Sequence, residues 1–117
     1  MTLAAPLDPT RAGRAQYANR LGWTDVEPYE IVKTVTGRTV EVRQMNAERD
    51  KTFQLEWIPG GFAGHAVNQN QQRWIITSNP DADIVRIRLH KDGRWYDRYR
   101  NQYVLSDTPR KFYDYNF

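Results

Sequence analysis

A chain of 117 residues is enough for one domain with a real core, and the absence of Cys excludes disulfides, thiolate metal sites and a cysteine nucleophile. Aromatics are 13% of the chain, with four Trp and seven Tyr, which argues against disorder over the whole length. The formal charge of +3 is polarised: residues 86–117 carry eight Lys/Arg against four Asp/Glu, whereas residues 21–85 carry six against nine. No apolar run approaches the roughly 20 residues of a membrane span, and MTLAAPLDPT lacks a basic-then-apolar signal layout. A cytoplasmic protein without a membrane partner is the expectation.

In chain order, residues 1–7 read as a loose tail and residues 8–22 as a helix. Asp8 suits an N-cap, Pro9 the first helical position and Gly22 the residue past the end. Ala12, Ala15, Ala18 and Leu21 recur at spacings of three and predict a narrow apolar stripe. From Trp23 the period becomes two, so residues 23–117 read as a β-rich body. PYEIVKTVTGRTVEVRQM predicts two strands around a tight turn at Thr36-Gly37-Arg38. TFQLEWI, with Phe53, Leu55 and Trp57 alternating against polar residues, predicts a half-buried strand. PGGFAGHAVNQNQQ is irregular, RWIIT and DIVRIRL predict two strands separated by the turn residues SNPDA, and KDGR signals a hairpin. The aromatic tail SDTPRKFYDYNF is expected to dock back on the body. The fold class is therefore mainly β (α+β): a short N-terminal helix on a small, strongly bent antiparallel sheet or a partly open SH3-like or OB-like barrel.

The stretch RIRLHKDGRWYDRYR, Arg86 to Arg100, holds five arginines, a lysine, a histidine and three aromatics against two acids. A two-residue loop at Asp92-Gly93 would set His90 opposite Trp95 and Arg88 opposite Asp97. Val85, Ile87, Leu89 and Tyr96 would then face the core. Arg86, Arg88, His90 and Trp95 would share the solvent face, with Arg94 at the tip and Arg98 beyond. Arginine forks grip phosphate or carboxylate through two donors, and an indole plane stacks on bases or on arginine. The plainer reading is a charged outer face that keeps the domain in solution.

Catalytic signals are weaker. His65 and His90 are the only histidines and neither stands at metal-ligand spacing with a second donor. GGFAGHA lacks the Lys-Ser/Thr of a phosphate loop, and Ser78 and Ser106 have no nucleophile-elbow pattern. No catalytic residue, metal site or cofactor is expected. An enzyme built on the loop near His65 is the remaining catalytic alternative.

DVEPYEIVKTVTGRTVEVRQMNAERD, followed by HKDGRW and FYDYNF, resembles small uncharacterised accessory proteins of bacteriophages and related mobile elements, over about residues 23–117. The resemblance implies a context and no activity: proteins of that kind bind and block host factors, bacterial defence complexes included. The expectation is a non-enzymatic protein of the host-cell cytoplasm that docks stoichiometrically on a host protein or protein–nucleic-acid complex as an inhibitor. Its binding residues are expected to be Arg86, Arg88, His90, Arg94, Trp95 and Arg98. The alternative is a barrel that binds nucleic acid or a nucleotide with the same face, and the oligomeric state is left open.

Overall fold

The computed structural model describes residues 15–58 and 65–116. The strands are β1 Tyr17–Leu21, β2 Val26–Glu27, β3 Tyr29–Thr36, β4 Thr39–Gln44, β5 Asn46–Arg49, β6 Trp57–Ile58, β7 His65–Ala66, β8 Trp74–Thr77, β9 Ile84–Leu89, β10 Trp95–Tyr96 and β11 Gln102–Ser106. Among the described residues the helical content is one 3-10 turn, Gln69–Gln71, and no helix is long and apolar enough to cross a membrane.

Six strands, β1, β3, β4, β9, β10 and β11, form a closed antiparallel barrel in chain order, with β11 pairing back onto β1. The small antiparallel barrel that the sequence predicts is present, and it is closed where the sequence predicts a partly open one. β2 and β3 behave as one strand interrupted at Pro28, which has no N–H to give, since both keep the same register against β1. The predicted β3–β4 turn is present, with Thr36 opposite Thr39 across Gly37-Arg38. Two bulges in β3 leave Val32 and Val35 exposed and add the local twist that a barrel this small requires. Inside, Val40, Val42, Ile87, Trp95, Tyr103 and Leu105 form the core with Ala15, Ala18 and Tyr29. Alternation along β4, β9 and β11 puts their partners outside.

The helix expected over residues 8–22 is absent from its described part. Residues 8–14, like the predicted tail at 1–7, lie outside the described residues, and Tyr17–Leu21 is a strand. Two ladders explain the override: β1 pairs with β11 on one side and with β2–β3 on the other, and Ala18 sits fully buried opposite Leu105. The hydrogen bonds and contacts of a barrel seam outweigh a helix propensity already weakened by Gly13.

Beyond the barrel the strands continue as an arm. β5 follows β4, β8 precedes β9, and β5 pairs with β8. SNPDA is a turn, as the sequence predicts, with the Ala82 N–H donating to the Asn79 carbonyl at 3.3 Å, and it joins β8 of the arm to β9 of the barrel, which do not pair with each other. Arg43 donates to Glu30 at 2.9 Å and Ser78 donates to the other oxygen of Glu30 at 2.8 Å, pinning that turn to the barrel. The strand predicted over TFQLEWI shortens to Trp57–Ile58, paired with β7; Phe53 is buried as expected while Trp57 is half exposed.

The tail docks as the sequence predicts. Phe112 bridges Val26, and Asn19 is buried outside the barrel, where its amide donates to the Thr108 carbonyl and accepts from the Arg110 N–H. Side-chain amides act as backbone substitutes further on. Gln72 donates to the Tyr113 carbonyl and accepts its N–H, Gln69 accepts the Tyr115 N–H, and Asn116 makes both bonds to the backbone of Ala66. A primary amide carries the donor and acceptor of a peptide group, which accounts for the Asn/Gln run.

Candidate functional site

Two successive tight turns position the charged stretch. In the first, the His90 N–H donates to the Arg94 carbonyl at 2.9 Å and the Gly93 N–H to the His90 carbonyl at 3.0 Å. The loop is thus the three residues Lys91-Asp92-Gly93, with Gly93 at φ 81° in the left-handed region. A type I turn closed by a left-handed residue is the usual three-residue hairpin, and Asp before Gly suits it. In the second turn, the Asp97 N–H donates to the Asn101 carbonyl and the Arg100 N–H to the Asp97 carbonyl, both at 3.1 Å. Here the left-handed position, φ 66°, is held by Arg100.

The extra loop residue overturns the predicted register. Trp95 lies opposite Leu89, and Tyr96 opposite Arg88. A slip of one residue sends each side chain of that strand to the other face. Trp95, expected on the docking surface, is 1% exposed in the core, and its indole N–H has no acceptor among the described residues. Tyr96, expected in the core, stands on the outer face. Asp97, expected opposite Arg88 outside, is buried.

What remains outside gathers into a groove of about 840 Å³. Its lining includes Arg86, Arg88 and His90 from β9, Tyr96 from β10, and Arg98, Tyr99 and Arg100 from the second turn, with Asp83, Ile84, Val85 and Asp97. Of the predicted site residues, Arg86, Arg88, His90 and Arg98 come together here. Arg94 is an exposed tip residue that does not line the groove, and Trp95 belongs to the core. Tyr96, Tyr99 and Arg100 were not predicted. The Asp-Gly pair suits a two-residue and a three-residue loop alike, so it does not choose the register that puts Tyr96 outside. Arg100 carries no signal either.

The cations differ in what they already hold. Arg86 pairs with Glu41 of β4 at 2.8 Å, directly across the ladder. Among the described residues no carboxylate lies within salt-bridge distance of Arg88, Arg98 or Arg100. Arg100 lies 5.1 Å from the centroid of the Tyr96 ring and Arg98 5.1 Å from that of Tyr99. His90 meets the Tyr96 ring edge-on at 4.7 Å. The Tyr96 hydroxyl donates to Asp92 at 2.7 Å, so the ring is held at both ends. Tyr99 is 72% exposed.

The two acids nearest the groove's turns are committed to local structure. Asp97 accepts from the N–H groups of Tyr99 and Asn101, from the Asn101 amide and from the Tyr103 hydroxyl. Burial pushes its carboxyl up, but these donors together outweigh burial and hold it below the ordinary carboxylate value. The Tyr103 hydroxyl is pushed far up by burial first, then by Tyr29 and Asp97, and stays a neutral donor. Asp92 is lowered by the Tyr96 hydroxyl and the Arg94 N–H.

The glycine-rich stretch at 59–64 lies outside the described residues, and His65 enters β7 by its backbone. Among the described residues no group of three His, Asp or Glu is placed to hold a metal ion. The arrangement suits gripping an anion by arginine forks braced on tyrosine rings. No family model, curated protein or solved structure matches this chain.

Proposed function

We propose that this chain is a non-enzymatic binding module that takes up an anionic partner, one to one, in the groove formed by Arg86, Arg88, His90, Tyr96, Arg98 and Arg100. The observation that carries the reading is that three of four groove arginines have no carboxylate partner among the described residues, while two of them are braced on tyrosine rings. Arg98 and Arg100, already resting on tyrosine rings above a turn held by Asp97, lose less side-chain freedom on binding than unbraced arginines would, and Arg and Tyr are common anchors of small interfaces. In the bacteriophage context suggested by the sequence, the anion belongs to a host protein or protein–nucleic-acid complex in the host cytoplasm, and docking there would block it. The chain-order meander is nearer to an SH3-like barrel than to the Greek-key order of an OB fold.

The test is capture from host lysate, with and without nuclease, by the wild-type chain and by Arg88→Glu. A saturable one-to-one partner that Arg88→Glu loses, while stability changes by less than about 1 kcal/mol, supports the reading. Equal capture by both chains would sink it.

A further inference from the structure

We infer that the anion taken by this groove is the backbone of single-stranded nucleic acid, with a base stacked on Tyr99. The inference rests on the binding-module reading above and specifies its ligand. Three features point the same way. Arg98 and Arg100 each lie 5.1 Å from a tyrosine ring centroid, so the groove sets guanidinium beside aromatic ring twice over, the two groups that hold phosphate and base along a strand. Tyr99 keeps 72% of its surface open at the groove, leaving ring face on which a base can stack. A duplex keeps its bases stacked inside and offers that ring nothing, and an acidic peptide needs the arginines but not the ring.

The third feature is backbone strain. Arg100 holds φ 66°, a conformation disfavoured for any residue with a Cβ, at the position where the sister turn uses glycine. Strain of this kind collects at functional positions, where the side chain is wanted at that point. The groove, about 840 Å³, lies within the range of ligand clefts and accepts a short run of nucleotides.

Fluorescence anisotropy on the full chain tests this with labelled oligothymidylate and oligouridylate of about 12 nucleotides, a duplex of equal length and a polyglutamate peptide. Neutralising three phosphates gives single strands a slope of about −2 in log affinity against log salt. Tyr99→Ala then weakens binding roughly five- to 150-fold with that slope unchanged, while Arg100→Gln shallows the slope by about 0.7. The two single strands show whether the 2′-hydroxyl is read. Duplex or polyglutamate binding as tight as single strands, with Tyr99→Ala silent, overturns the inference and leaves the binding module standing. So does failure of every probe while capture from lysate still depends on Arg88. Failure of the probes together with Arg88-independent capture removes both.

Discussion

The turns before and after β10 share one backbone design and differ in what fills it. Each is a three-residue loop with the same pair of backbone hydrogen bonds and a left-handed third residue. Turn 91–93 places glycine there and spends its acid, Asp92, on the Arg94 N–H and the Tyr96 hydroxyl. Turn 98–100 places arginine there and is held by Asp97 from beneath, through four donors. One is the cheap version of the turn. The other is stiffened from inside and carries two arginines and a tyrosine outward, so the same backbone is reached once by a glycine and once by a buried acceptor.

The largest expected effect comes from removing the brace. Asp97→Ala leaves the buried Tyr103 hydroxyl without an acceptor and removes the three bonds that hold the Tyr99 and Asn101 donors, and should cost about 2–4 kcal/mol in urea unfolding. A loss below about 1 kcal/mol would mean the second turn stands without its brace. The same carboxylate makes stability depend on pH. Its folded-state value lies below the ordinary 3.8, so its contribution is complete above that value and is lost as pH falls through the lower, folded one. Unfolding curves of wild type and Asp97→Asn should therefore converge as acid is added; parallel curves would contradict the assignment.

Gly93→Arg copies the second turn into the first. A Cβ at Gly93 meets nothing within 4 Å, so the expected cost of about 1–2 kcal/mol is conformational alone. The reverse change, Arg100→Gly, relieves φ 66° but gives the unfolded chain more freedom and loses the stack on Tyr96. Its stability should hold within about 1 kcal/mol while affinity falls. A larger destabilisation would make Arg100 a structural residue.

Much of the barrel could be read in advance because alternation is a strong signal where one face is sealed. The shared face of Val40 and Val42, the inward face of Ile87 and the turn at Thr36-Gly37-Arg38 follow from it, while the docking tail was legible from its aromatic residues. The groove was read only in part. β9 supplied Arg86, Arg88 and His90 because its alternation is unbroken, but Tyr96 and Trp95 exchanged faces on the length of one loop. Tyr99 and Arg100 sit in a turn, where no periodicity tells inside from outside. β1 was misread as a helix because its small residues satisfy a spacing of three, and only its partners, distant in the chain, make it a strand. The two bulges in β3 leave no local mark either.

Closure of the barrel has a consequence for how the chain is made. Tyr17 finds its partner at Ser106, so a strand synthesised early must wait for one that emerges from the ribosome almost ninety residues later. Until then Ala18 and the strand walls around it stay open to water and to other chains. Slow, late-committing assembly, with chaperone dependence during translation, is the kinetic signature to expect of it.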